Sequence, residues 1–312
     1  MAGLTRAKRG GRIVLSQRNQ EALLAYACLT PWIIGFLVFT LGAMLVSLGL
    51  AFTTTDMLTK MKFVGLANVR EMAADPLVLK SLWVTARYAL GSVPLGITVS
   101  LGIALLLNQG IPARSLLRTL YYLPSVVSGV AVAILWSSLL DAHFGLVNWI
   151  LSWFGIRGPG WLQSPDWALP ALIVMSLWSV GGGMIIYLAG LQGIPTTLYD
   201  AAMVDGANGW HRLIHITIPM MTPIIFYNLV MGVIGSFQYF TNAYVMMSNN
   251  GAGPADSTLF YNLHLYNYAF RYMNMGYASA MAWFLFIIVL VLTLLIFRSS
   301  AMWVYYEGAL RR

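Results

Sequence analysis

Six stretches of this chain run for 22 residues or more without a single Asp, Glu, Lys or Arg: 22–55, 88–113, 119–140, 167–199, 213–255 and 272–297. A helix that crosses a bilayer needs about 20 mostly apolar residues, so each stretch is long enough for one crossing. The composition agrees, with charged residues at 9% of the chain against roughly 25% in an ordinary globular domain. The expected fold is all-α and integral to the membrane, with six transmembrane helices near 23–50, 82–107, 119–140, 169–192, 219–247 and 276–298.

Six crossings put both termini on one side. The termini and the alternate loops carry 11 Lys/Arg (Arg6, Lys8, Arg9, Arg12, Arg18, Arg114, Arg118, Arg212, Arg298, Arg311, Arg312) against four acids, whereas the opposite loops carry six Lys/Arg against six acids. Counting Lys and Arg places the termini in the cytoplasm. The formal charge of +8 then reads as a cytoplasmic anchor rather than a nucleic-acid footprint. The organisation expected is a basic arm (1–22), a six-helix domain (23–298) and a short tail (299–312). The arm leads into an uncharged run too long for a signal-peptide core, so it is read as preceding a retained first helix. The lone cysteine, Cys28, excludes an internal disulfide and is expected as a small buried apolar residue.

Arg87 is the one charge placed inside an expected helix rather than at its end. It has two readings: a side chain snorkelling to the outer interface, or one lining a cavity. The outer segment 141–168 holds Trp149, Trp153, Trp161 and Trp167, which suggests a short helix lying at the membrane–water boundary, with a turn at Gly158, Pro159 and Gly160. Pro31, Pro94, Pro124 and Pro223, and the run Gly181, Gly182, Gly183, mark weak points. Such breaks survive where freed backbone groups face protein or a water-filled cavity.

The segment 193–223 (GIPTTLYDAAMVDGANGWHRLIHITIPMMTP) reads as a short cytoplasmic helix between the fourth and fifth spans. Pro195, Thr196 and Thr197 give a start signal, with Asp200 placed as an acid near a helix N-terminus. Ala201 and Ala202 make a small face, and Asp205-Gly206 ends the helix with a residue able to take positive φ. Pro219 then opens the fifth span.

Within it, DAAMVDGANGWHRLIHITIP resembles the EAA loop of membrane subunits of binding-protein-dependent ABC importers, through Ala201, Ala202, Asp205, Gly206, Ala207, Ile216 and Pro219. Asp200 stands where that family usually has Glu, keeping the charge on a shorter arm, and Ile218 where it usually has Leu. The stretches SFQYFTNAYVMM and GPADSTLFYNLHLYNYAF, and the Trp-Val-Tyr-Tyr-Glu tail (303–307), look like the sugar-transporting branch, on the side of the larger maltose-transporter-type subunit. The resemblance implies the MetI-like permease fold, with a coupling helix at 196–208 inside the loop 193–219 that docks on a cytoplasmic ATPase. It further implies two ATPase subunits, a second permease subunit and an extracytoplasmic solute-binding protein.

No G-x-x-x-x-G-K-[ST] stretch is present to cradle phosphates, so ATP and Mg are expected on the partner ATPase and no cofactor in this chain. His211 and His215, four apart, lack a third metal ligand in view; His143 and His264 fall alone in outer loops. The span cores carry no carboxylate, which argues against an enzyme and against proton-coupled transport. A secondary transporter or channel without ATP is the alternative reading, and it has no use for the loop. A sugar requires hydrogen-bonding groups and aromatic faces. Candidates are Asn228, Gln238, Tyr239, Thr241, Asn242 and Tyr244 in the fifth span and Ser176, Trp178, Ser179 and Tyr187 in the fourth. Each is either helix–helix glue or cavity lining. Gln238 and Asn242, four apart and so on one helix face, come first, followed by Tyr239 and Trp178.

Overall fold

In hydrocarbon a helix is the cheapest way for a chain to pair its own backbone groups, and residues 17–50 form one helical run. It comprises α1 (Gln17–Gly35), a π-helical turn (Phe36–Gly42) and α2 (Ala43–Leu50). The computed structural model describes residues 17–55 and 61–305; most of the basic arm, Asp56 and the tail beyond 305, Glu307 included, lie outside the described residues. No described side chain in 21–50 is buried. Cys28 is exposed, not buried as expected: this helix presents apolar surface all round, suited to lipid.

From Ala51 onward a second unit begins. It opens with a two-residue antiparallel ladder, β1 (Thr53–Thr54) on β2 (Lys62–Phe63), the one strand pairing among the described residues. The side-chain amide of Asn68 holds it down by donating to the carbonyls of Ala51 (2.8 Å) and Thr53 (2.9 Å). A short α3 (Ala67–Ala74) leads to α4 (Pro76–Asn108), the longest helix. Its start is well specified: Asp75 accepts from the Leu77 N–H at 2.8 Å, and Pro76, with no N–H to satisfy, occupies the first turn.

Beyond α4 the expected spans are often broken. The third is split into α5 (Arg114–Val126) and α6 (Gly129–Leu139), bent by 98°. Pro124 sits in the last turn of α5, and Val127 and Ser128 take extended ψ of 139° and 134°, so the hydrogen-bond ladder stops there. After α7 (Leu146–Trp153), the fourth is split into α8 (Pro165–Ser176), a 3-10 turn (Leu177–Ser179) and α9 (Gly181–Gln192), bent by 48°. Gly181 is required at this bend, because a Cβ there would run into the carbonyl of Tyr121 on α5. The fifth begins earlier than expected: α11 (Gly209–Arg212) continues through a π-helical turn (Leu213–Thr217) into α12 (Ile218–Phe237). The wide turn directly before Pro219 accommodates the hydrogen bond that proline cannot donate. α12 stops at Phe237, and α13 (Thr241–Met246), α14 (Tyr261–Tyr266) and α15 (Met275–Trp303) are the last α-helices among the described residues.

Among the described residues, four helices are long and apolar enough to cross a membrane (21–50, α4, 209–237 and α15), and each bent pair passes the same test as a unit. α4 is the axis of the second unit, with α8, α9, α12 and α14 packed along it. Two apolar clusters bracket its ends. Tyr88, Leu172, Met175, Phe260 and Leu263 pack at one end, and Leu107, Met184, Leu188, Leu191, Ile194 and Met221 at the other. Between them lies the space described next.

Candidate functional site

The loop that joins α9 to α12 folds as α10 (Thr196–Val204), shorter than the 196–208 expected. Pro195 is its N-cap residue, and Asp200 falls one turn in, beyond the first-turn position expected. The C-terminus closes as a Schellman turn. Gly206 sits at φ +79°, its N–H donates to the Met203 carbonyl (3.1 Å), and the Ala207 N–H reaches back to the Ala202 carbonyl (2.8 Å). Asn208 then caps α11, accepting from the His211 N–H at 2.9 Å. Ala201, Met203, Val204, Asp205 and Trp210 are exposed, Val204 to 88%, while Ala202, Ala207, Ile216 and Pro219 are half-buried. α10 thus offers an outer face of small and apolar residues beside the exposed carboxylates of Asp200 and Asp205.

Its inner side is fastened. Ile194 is buried in the cluster at the end of α9, and the Tyr199 hydroxyl lies 2.9 Å from Oγ1 of Thr217, itself buried. Neither Tyr199 nor Thr217 was singled out by the sequence. Their spacing crosses the turn at Gly206, so no helical periodicity links them. His211 and His215 stack with ring centroids 5.7 Å apart, and no group of three metal-ligating side chains gathers among the described residues.

The second feature is a cavity of about 260 Å³ between α4, α8, α9 and α12. Five serines (Ser92, Ser100, Ser176, Ser179, Ser236), three tyrosines (Tyr88, Tyr187, Tyr239) and Asn228 face it, with glycines and no charged residue. Of the residues expected to line a pathway, Tyr187, Tyr239, Asn228, Ser176 and Ser179 are here. Trp178, Gln238, Thr241, Asn242 and Tyr244 are not. Trp178 packs edge-on against Trp136 at 6.0 Å. Gln238 and Asn242 do not share a helix face, because the chain leaves the helix after Phe237 and Phe240 takes φ −153°, ψ −58°. That break turns Tyr239 onto Tyr88 (4.4 Å) and Phe260 (4.9 Å), an aromatic group over one end of the cavity. Ser92, Gly96 and Ser100 were missed, although small residues four apart along α4 mark the face.

Glue and lining prove compatible. Ser100 donates to the Val180 carbonyl (3.0 Å), Ser176 to Ile173 (2.6 Å), and the Asn228 amide to Ile224 (2.9 Å). Each keeps oxygen lone pairs free as acceptors. The Tyr187 hydroxyl is buried and has no protein partner. The Tyr239 hydroxyl, close to Tyr88 and Asn242, makes no well-aligned hydrogen bond with either. The cavity therefore offers donors and acceptors to an uncharged polar guest. Arg87 is not part of it: the side chain is exposed, with the guanidinium 5.8 Å from the Trp83 ring centroid.

A third grouping was not foreseen. His264, expected to stand alone, is buried with Nε2 3.5 Å from Oδ2 of Asp75. The same oxygen accepts from the hydroxyls of Tyr277 (3.1 Å) and Tyr268 (3.3 Å). Burial, with Asp75 adding to it, pushes the Tyr268 hydroxyl up to about 12. Burial holds the His264 imidazole below its ordinary range, against the opposing pull of Asp75.

Comparison with known proteins gives concordant results. Residues 92–303 match the family described as "Binding-protein-dependent transport system inner membrane component". A probable ABC transporter permease protein of Bacillus subtilis, YesP, is 46% identical over 93% of this chain and 94% of its own length. The trehalose/maltose transport system permease protein MalF of Thermococcus litoralis is 32% identical over 80% of this chain and 85% of its own. Among solved structures, a chain of a bacterial alginate ABC transporter, in complex with an alginate-bound periplasmic protein, superimposes with a TM-score of 0.80. It is 26% identical and covers 91% of this chain and 96% of that one.

Proposed function

We propose, from the premise that the chain belongs to the binding-protein-dependent transport system inner membrane component family, that it is the permease subunit of an ATP-driven importer of a sugar or sugar-like solute. Six spans, with the bent pairs counted as one each, and cytoplasmic termini follow from the charge pattern. α10 then lies on the cytoplasmic side.

The observation that carries this reading is the build of α10: an exposed face of small and apolar residues, fastened from behind to the helix that becomes α12. An ATPase subunit that grips this face and moves on closing would move α12 with it, and α12 carries Asn228, Ser236 and Gly232 into the cavity. ATP and Mg belong to two such partner subunits. A second permease subunit completes the pathway, and an extracytoplasmic binding protein delivers the solute. The cavity's hydroxyls, amide and aromatic rings, without charge, suit a polyhydroxylated guest that pairs its hydroxyl groups and lays an apolar face on a ring.

The test is co-expression of the chain with its genomic neighbours, purification of the complex, and measurement of ATP hydrolysis with the binding protein across a panel of sugars. Stimulation by one solute together with its binding protein is expected. Failure of any ATPase to co-purify would sink the reading.

A further inference from the structure

We propose that Arg114 and Arg118, bridged by Gln192, form a binding site for a phosphate oxyanion at the end of the second unit that carries α10. Arg114 begins α5 and Arg118 follows one turn later, so the two share a face. Both are half-buried. The amide of Gln192 satisfies both of its ends only with its oxygen turned toward them, where it accepts from Nη2 of Arg114 and from Nη2 of Arg118, each at 2.9 Å. Two guanidinium groups are thus held on a single neutral oxygen.

Neither has a counter-charge among the described residues. The ion pairs among the described residues are Lys80 with Asp256 and His264 with Asp75, and the Nε atoms of Arg114 and Arg118 are enclosed without a partner. A guanidinium keeps its charge in a protein, and two like charges half-withdrawn from water beside each other are costly without a counter-ion. An amide supplies an acceptor but no charge. A phosphate supplies both, and its oxygens match the fork of each arginine. The same corner is the N-terminus of α5, whose cap residue Ala113 contributes no side-chain acceptor to the free N–H groups.

The oxyanion can come from the bilayer or from solution. Leu116, Leu120 and Leu123 are exposed on the opposite side of α5, so the helix is amphipathic, and its basic turn falls where the charge-free stretch 119–140 begins. That is headgroup level, where basic pockets between spans take anionic lipid. Inorganic phosphate reaches the same spot from solution. Gln192 closes α9 three residues ahead of Pro195, the cap of α10. An anion that draws the guanidinium groups off Gln192 therefore acts beside the proposed coupling helix. The cytoplasmic placement rests on the function proposed above; the oxyanion chemistry does not.

The test uses the full chain purified in neutral detergent, with two probes. Native mass spectrometry measures retention of phosphatidylglycerol against phosphatidylcholine. Thermal unfolding measures the effect of inorganic phosphate against chloride at matched ionic strength. The variants are R114K/R118K, which keeps the charge and loses the fork, R114Q/R118Q, and Arg298→Gln as an exposed basic control. Selective retention of phosphatidylglycerol that falls about tenfold in both double variants and persists in Arg298→Gln supports the site with a lipid source. A phosphate-induced rise in the unfolding midpoint, lost in the same variants, supports it with a soluble source. If both probes treat wild type and the double variants alike, or if Arg298→Gln loses as much, the site is overturned. Topology is read separately by labelling Ser115→Cys in a Cys28→Ser background. Labelling from the outside would overturn the cytoplasmic placement and leave the binding result standing on its own probes.

Discussion

The phenolic oxygen of Tyr199 and Oγ1 of Thr217 are 2.9 Å apart, which ties the first turn of α10 to the π-helical turn that runs into α12. One such bond contributes about 1 kcal/mol net, so Tyr199→Phe is expected to shift stability little. Its effect falls on transmission: in the reconstituted transporter, solute moved per ATP hydrolysed should drop several-fold. Thr217→Val should do the same, and the double variant should be no worse than either single one. Additive losses in that cycle would show that the two side chains act independently.

Gly206 is required for its backbone rather than for space. It holds φ +79°, and a Cβ there would meet nothing within 4 Å. A β-branched residue in the left-handed region costs about 1–2 kcal/mol, whereas Asn tolerates it. Gly206→Val is therefore expected to unwind the end of α10 and abolish uptake with the protein still in the membrane, and Gly206→Asn to keep most of it. Uptake and membrane abundance measured together separate the two outcomes. Equal uptake by the two variants would count against the α10 turn as the coupling element.

Tyr187 distinguishes a binding cavity from a packing defect. Its hydroxyl is buried without a protein partner, and such a group costs about 1–3 kcal/mol. Tyr187→Phe should therefore raise the unfolding midpoint of the purified chain. If the hydroxyl donates to solute in transit, the same change should weaken solute-stimulated ATP hydrolysis by about tenfold in the assembled complex. A gain in stability with transport unchanged would assign the cavity a structural role alone.

These residues also show where sequence was sufficient. A charge-free stretch marks a helix because bilayer thickness sets its length, and the turn at Asp205-Gly206 was legible because few residues accept positive φ. The bends were not. Pro124 and Gly181 flag weak points, but whether a helix breaks there depends on what packs alongside, as the Tyr121 carbonyl does against Gly181. Gln238 and Asn242 failed as a pair for that reason: their spacing presumes an unbroken helix, and the helix ends at Phe237, where Tyr239 turns onto Tyr88 and Phe260. Ser92 and Ser100 were not legible because small residues four apart on one helix mark a close-packed face as readily as a cavity wall, and a cavity takes its wall from every helix around it. His264 and Asp75 are 189 residues apart in the chain, and nothing local announces their contact.

That contact gives a pH dependence whose sign is fixed. His264 is buried, and its imidazole titrates below the ordinary value of 6.5, because burial disfavours the charged ring more than Asp75 favours it. As pH falls, the unfolded chain takes up the proton first, near the ordinary value, and the folded chain only later. Across that window the unfolded state binds more protons, so stability falls with pH. The contribution of His264 is complete above the ordinary value and lost as pH drops through the lowered one. Unfolding midpoints of the purified chain, taken from about pH 8 down to about pH 5, should decline on the acid side. His264→Gln, neutral throughout, should flatten that decline. Asp75→Asn keeps an acceptor for the Leu77 N–H but removes the charge that supports a protonated ring, so it should steepen the decline and carry it to lower pH. An acid limb identical in wild type and His264→Gln would show that other groups govern it.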